Sequence, residues 1–143
     1  MTWERTAGAS SAAPPDRVWH VLLDGRRWSQ WNDGVDWMAV EGELAPGGLL
    51  TMKPKRMRQT AFRIEAVEPH RLLALAVRFG PVATLRLRWE LAPESGGTTI
   101  VQTVGIGGPL AGLLLRRAAR RIADAMPANL ERLAVRAFSL APV

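Results

Sequence analysis

The architecture turns on the stretch Thr98-Thr99-Ile100-Val101-Gln102-Thr103-Val104-Gly105-Ile106-Gly107-Gly108-Pro109-Leu110-Ala111-Gly112-Leu113-Leu114-Leu115. Up to Ile106 the apolar side chains recur at every second position, with Ile100, Val104 and Ile106 in phase and Gln102 sharing that phase. After Gly107-Gly108-Pro109 the period changes to about 3.6. On a helical wheel Leu115, Ala118, Ala119, Ile122, Met126, Asn129, Leu130, Leu133 and Ala137 gather within about a third of the circumference. Arg116, Arg117, Arg120, Arg121, Asp124 and Glu131 fall largely outside that stripe. The spacing predicts a strand followed by one helix of about 28 residues, roughly 40 Å long, beginning near Pro109. Pro127 lies inside it, lacks an N–H and clashes with the carbonyl four residues back, so a kink is expected between Ala123 and Pro127.

Working outward, the next segment upstream has the clearest alternation in the chain. Ala83, Leu85, Leu87, Trp89 and Leu91 share one face; Thr84, Arg86, Arg88 and Glu90 share the other. One buried and one solvated face is the pattern of an antiparallel sheet. Further strands are predicted over 35–44, 49–53, 60–67 and 72–79, separated by Ala45-Pro46-Gly47-Gly48, the basic run Lys53-Pro54-Lys55-Arg56-Met57-Arg58, Glu68-Pro69-His70-Arg71 and Gly80-Pro81. In the third of these, Phe62, Ile64 and Ala66 are expected on one side, with Arg63 and Glu65 on the other. Residues 2–11 read as a first strand. Ala13-Pro14-Pro15-Asp16 starts a helix carrying Val18, Trp19 and Leu22 on one face, and Asp24-Gly25 ends it. Trp28-Ser29-Gln30-Trp31 reads as one helical turn with both indoles on the same side. The order strand, helix, short helix, six strands, long helix contains no strand-helix-strand alternation, which excludes a parallel sheet and indicates one α+β domain over 1–143.

The totals narrow the field. At 143 residues, 48% hydrophobic and 22% charged, the chain is sized and composed for one packed domain. It has no cysteine, which removes disulfides, thiolate zinc sites and cysteine nucleophiles. No basic segment followed by an apolar run opens the chain, and no apolar run approaches the ~18 residues of a membrane span, so a cytoplasmic protein without stable membrane insertion is expected. The net charge is +6, with 17 Arg and 2 Lys. That balance is compatible with an anionic partner, and equally with a genome rich in Arg, Ala, Gly and Pro codons.

No catalytic constellation is visible. His20 and His70 are the only histidines, and no HxH, HxxxH or HExxH spacing occurs, so neither a metal site nor a cofactor is called for. No serine sits in a nucleophile elbow. Gly105-Ile106-Gly107-Gly108 precedes a helix, but Pro109 removes an amide that a phosphate cradle would use. A groove-reading element or aromatic stacking platform for nucleic acid is also missing. The expected inward set is Trp37, Phe62, Ile64, Val77, Phe79, Leu85, Leu87, Trp89, Val104, Ile122 and Met126, which either fills a close-packed core or lines an apolar pocket. Gln102 and Asn129 interrupt it with amides that need partners: each other, backbone freed at Pro127, or a ligand.

Several of these segments resemble the SRPBCC (START-like, Bet v 1-like) superfamily. The resemblance lies in Ala13-Pro14-Pro15-Asp16-Arg17-Val18-Trp19 through Asp24, in Trp28-Ser29-Gln30-Trp31-Asn32, and in Gly42-Glu43-Leu44-Ala45-Pro46-Gly47. It continues in Ile64-Glu65-Ala66-Val67-Glu68-Pro69-His70-Arg71, with His70 where Gly is commoner. The tail from Gly108 to Leu133 is similar to the last helix of bacterial members labelled polyketide cyclase/dehydrase-like. The resemblance spans essentially the whole chain. It implies a helix-grip fold, a seven-stranded antiparallel sheet around the last helix with a cavity between them. It places Trp37, Phe62, Ile64, Val77, Phe79, Leu87, Trp89, Gln102, Val104, Ile122, Met126 and Asn129 as candidate ligand contacts. It also puts Lys53, Lys55, Arg56 and Arg58, with Arg116, Arg117, Arg120 and Arg121, near the cavity mouth. The expected function is non-catalytic binding or transport of a hydrophobic, optionally anionic small molecule by a monomer or homodimer. A polyketide cyclase/dehydratase and a protein-interaction module with a closed cavity stay open as alternatives. The lack of any inward Asp, Glu, His or Tyr weighs against the cyclase.

Overall fold

The computed structural model describes residues 2–139. The elements follow in the order β1 (Thr2–Ser11), α1 (Pro15–Leu23), a 3-10 helix (Gly25–Gln30), β2 (Val35–Glu41), β3 (Leu49–Pro54), β4 (Thr60–Glu68), β5 (Leu72–Phe79), β6 (Ala83–Glu94), β7 (Gly97–Gly107), α2 (Ala111–Leu114) and α3 (Arg116–Ser139). All seven strands form one antiparallel sheet in the order β1-β7-β6-β5-β4-β3-β2. The first strand thus returns to lie beside the last, and α3 packs along both of them and against α1. The 3-10 helix packs on β2.

The alternation predicted for β6 and β7 is present residue by residue. Ala83, Leu85, Leu87, Trp89 and Leu91 are buried, as are Thr98, Ile100, Gln102, Val104 and Ile106. Their registers match, with Leu87 opposite Val104 and Trp89 opposite Gln102. Two polar side chains join layers within the core. Ser11 Oγ donates to the Ala134 carbonyl of α3 at 2.7 Å, and Thr98 Oγ1 donates to the Ala13 carbonyl at 2.7 Å. Both are buried and satisfied, so they tie the corner between β1 and α1 to the sheet and α3 without a desolvation penalty.

Three expectations about local structure are corrected. The single long helix is two: α2 is one turn, α3 starts at Arg116, and Leu115 joins them at φ −117°, ψ −12°. The main-chain bonds Leu110 N–H to Val82 O and Ala111 N–H to Gly108 O tie α2 to the end of the sheet, a tertiary constraint that helical periodicity does not record. Helix α3 runs on through Pro127, and the interruption lies at Leu115. Second, the helical turn at Trp28 is a 3-10 helix that ends at Gln30, leaving Trp31 just beyond it. Third, bulges shift the register between Val35 and Trp37 in β2 and between Ile64 and Ala66 in β4. A bulge inserts one residue and reverses the faces beyond it. Val67, opposite the core residue Leu73, therefore takes the inward place expected for Ala66.

His70 adopts φ +66° in the β4–β5 turn, the left-handed region that favours glycine. Its ring meets Trp19 edge-on at 6.4 Å. His70→Gly is expected to change stability by less than about 0.5 kcal/mol, because backbone relief offsets the lost ring contact. His70→Val is expected to cost about 1–2 kcal/mol, since a β-branched residue tolerates that conformation least. Urea unfolding of both variants checks this; a valine variant as stable as the parent would contradict the left-handed turn.

Candidate functional site

The inner face of the sheet and the facing side of α3 enclose a core centred on tryptophans. Trp28 and Trp31 come from the 3-10 segment and Trp89 from the middle of β6, and all three are buried. Ring centroids of Trp28 and Trp31 lie 4.9 Å apart, and those of Trp28 and Trp89 5.5 Å apart at 71°. Trp28 Nε1 donates to the Leu22 carbonyl at 2.7 Å. Trp31 Nε1 and Trp89 Nε1 are equally buried and donate to nothing. Gln102, opposite Trp89 in the register, is only 3% exposed, and its amide has no hydrogen-bond partner among the described residues. Unpaired buried donors are uncommon because each costs about 1–3 kcal/mol. Two such donors, those of Trp31 and Trp89, lie in this core, and Gln102 faces Trp89 across the register.

Most of the predicted inward residues occupy this interior. Ile64 and Val104 have no accessible surface, and Phe62, Leu85, Leu87, Trp89, Gln102 and Met126 are buried around them. Val77 and Ile122 are partly buried and pack against the same core. The interface between the sheet and α3 is thus closely filled.

Three predicted contacts lie elsewhere. Trp37 follows the β2 bulge and is out of phase with the buried Met38, which faces inward opposite Met52 in its stead. Phe79 keeps the inward phase but ends β5, where it is 43% exposed. Asn129 is buried but fully engaged. Its Oδ1 accepts from Asp33 N–H at 3.1 Å and Arg132 Nη2 at 2.8 Å, while its Nδ2 donates to Asn32 Oδ1 at 3.3 Å. Arg132 completes this clamp through the Trp31 carbonyl at 3.2 Å and the Asp33 carboxylate at 2.7 Å. Asn129 therefore fastens the loop carrying Trp31 to α3. Trp28 and Trp31 are the interior residues missed at first, although their three-residue spacing had placed them on one side.

The basic residues fall at one end of the sheet. Pro54 pairs with Val35 and Met52 with Thr60, while Thr84 pairs with Gly107, so the β3–β4 loop, the β5–β6 turn and the start of α2 share that end. Lys53 is committed to Asp36 at 3.6 Å and to the Pro54 carbonyl at 2.7 Å. Lys55, Arg56 and Arg58 are exposed without ion pairs among the described residues, as are Arg117, Arg120 and Arg121. Arg116 is half-buried, and its Nε has no partner.

Elsewhere the molecule offers little. A surface groove of about 430 Å³ is lined by Gln30, Glu131, Arg132, Val135, Arg136 and Ser139, and another of about 470 Å³ runs past Glu68, Arg71, Arg88 and Glu90. The first contains none of the predicted inward residues, and the second reaches the interior only at Leu72 and Leu91. Among the described residues no group of three potential metal ligands converges, and no helix is long and apolar enough to cross a membrane.

A seven-stranded antiparallel sheet holding a long C-terminal helix defines the helix-grip class of α+β domains. Residues 3–137 match the family described as polyketide cyclase / dehydrase and lipid transport, and the chain belongs to that family within the SRPBCC superfamily. Among solved structures it is similar to Ara h 8.0201, with a TM-score of 0.68 at 12% identity over 97% of this chain and 99% of that one. It is similar to protein MLL2253 of Mesorhizobium loti, with a TM-score of 0.69 at 16% identity over 99% and 100%. Protein CV1439 of Chromobacterium violaceum aligns with a TM-score of 0.64 at 21% identity over 94% and 96%. These likenesses establish the fold. No curated protein matches the sequence.

Proposed function

We propose that this chain binds a hydrophobic small molecule bearing a hydrogen-bond acceptor between the sheet and α3, and performs no chemistry on it. The observation that carries the reading is the pair of buried, unpartnered indole N–H groups of Trp31 and Trp89, with Gln102 opposite Trp89 in the register. A carbonyl, hydroxyl or carboxylate delivered into this apolar interior would relieve those deficits, and apolar walls with a few placed polar groups are the usual form of a small-molecule site. Family membership, with lipid transport in its description, supports the same reading. Because this interface is closely filled, ligand entry requires α3 and the sheet to part.

The inner polar inventory argues against catalysis. The buried polar residues are Ser11, Asn32, Thr98, Gln102 and Asn129; all but Gln102 are hydrogen-bonded to the protein, and none is an ordinary general acid or base. Both histidines are exposed.

Native mass spectrometry of the purified protein, with solvent extraction of what it carries, tests the reading. A co-purifying apolar species, or saturable uptake of a fatty acid or quinone, is expected. Gln102→Leu is expected to keep the unfolding midpoint near the parent's, since its amide makes no side-chain hydrogen bond to the protein, while weakening uptake about 5- to 30-fold. Neither a bound species nor saturable uptake would sink the proposal.

A further inference from the structure

The same end of the molecule that gathers the unpaired cations also gathers exposed apolar side chains. Leu113 is 82% exposed, Met57 60% and Leu114 53%, with Leu110 and Phe79 not far behind. They come from separate pieces of chain: α2, the β3–β4 loop and the end of β5. Phe79 faces Ala83 across the β5–β6 turn, and the Leu110 N–H bonds to Val82 O at 2.9 Å, so that turn and α2 are joined. The other exposed large apolar residues, Leu49, Val135 and Phe138, sit at the start of β3 and in the last turns of α3. Elsewhere some arginines are paired, as in Arg86 with Glu65, Arg88 with Glu90 and Arg132 with Asp33, while others such as Arg26 and Arg63 are exposed without an ion pair among the described residues. At this end Asp36 and Asp124 are consumed by Lys53 and Arg5, whereas the cations of the β3–β4 loop and of the first turns of α3 have no counterion. Four arginines at the positive end of a helix, with no acid in its first turn, are also unfavourable within the chain itself.

We infer that this end is a docking surface for an anionic lipid bilayer, with Leu113 and Leu114 of α2 entering the headgroup region and the surrounding Lys and Arg side chains meeting lipid phosphates. The break at Leu115 gives the feature its form. It makes α2 a separate turn that buries Ala111 and leaves Leu113 and much of Leu114 outside. Apolar tips on separate loops with cations around them fit a fluid surface, which closes around protrusions, better than a folded protein, which must supply a matching pocket. The docking stands on surface residues alone, independently of the interior binding reading. Together they would bring the end of the interior beside α2 to the membrane.

Sedimentation with lipid vesicles tests it. The full chain is expected to bind vesicles of phosphatidylcholine containing one-third phosphatidylglycerol, to ignore vesicles of phosphatidylcholine alone, and to release as salt is raised from about 0.1 M toward 1 M. Leu113→Ser combined with Leu114→Ser is expected to weaken binding at least ~10-fold with an unchanged unfolding midpoint, because both side chains are already in water. Arg117→Gln combined with Arg121→Gln is expected to weaken it and flatten the salt dependence. No binding to the anionic vesicles, equal binding to both vesicle types, or full binding by the leucine double variant would overturn the inference. So would leucine-dependent self-association, or binding of an acidic protein, in place of vesicle binding. Ligand occupancy of the double variant by native mass spectrometry separates the two proposals, because it should match the parent's.

Discussion

Replacing Trp28 with alanine is expected to remove about 3–5 kcal/mol of stability, the range for emptying a fully buried aromatic site. Trp28 has no accessible surface, touches Trp31 and Trp89 with its ring, and caps the Leu22 carbonyl at the end of α1. The variant loses all three contacts at once and leaves that carbonyl without its donor. Against a total of roughly 5–15 kcal/mol for a domain of this size, such a loss brings unfolding close to ambient temperature. Trp28→Phe separates the contributions, since it keeps much of the packing and forfeits the hydrogen bond; about 1–3 kcal/mol is expected. Urea titration of the three proteins measures the series. A loss below about 1 kcal/mol for the alanine variant would mean that the tryptophans do not form the centre of the core.

A change of one methyl group at Gly25 is expected to be nearly as severe. A Cβ built there would lie 1.8 Å from the Met38 carbonyl oxygen and 2.7 Å from its carbonyl carbon. Backbone meets backbone, so no rotamer change relieves the clash, and the 3-10 helix would have to lift off β2. Gly25→Ala is expected to cost on the order of 3 kcal/mol, toward the upper end for overpacking. Gly96 is the comparison. It turns β6 into β7 at φ +81° with open space around it, so Gly96→Ala carries only the left-handed backbone penalty of about 1–2 kcal/mol. Similar losses at the two sites would contradict the close approach of the 3-10 helix to the sheet.

Gly25 also shows where sequence reading stops. In sequence Asp24-Gly25 looks like a helix stop, and α1 does end there. What demands glycine is a strand thirteen residues away, and only the tertiary structure shows that. The inward set divides in the same way. Leu87, Trp89, Gln102, Val104 and Met126 are legible because period-two and period-3.6 patterns carry through β6, β7 and α3, and Phe62 and Ile64 because they precede the β4 bulge. Trp37 and Ala66 were misplaced because a bulge adds one residue with no mark in the pattern, and everything beyond it changes face. Asn129 was rightly placed inside, but its partners are Asn32 and the Asp33 backbone, nearly a hundred residues away in sequence. The end of the sheet that collects Met57, Phe79 and Leu113 joins three segments that no local window brings together.

The central claim is that Trp31 and Trp89 hold their indole N–H groups in reserve for a bound acceptor. Isotope-edited NMR of the six indole N–H groups, recorded while a medium-chain fatty acid or a short-chain quinone is added, addresses it directly. The Trp31 and Trp89 signals should shift together and saturably, in the direction of a newly formed hydrogen bond. Trp28, already bonded to Leu22, and Trp37, on the far side of the β2 bulge, should move far less. Saturable binding that leaves the Trp31 and Trp89 signals in place would contradict the claim.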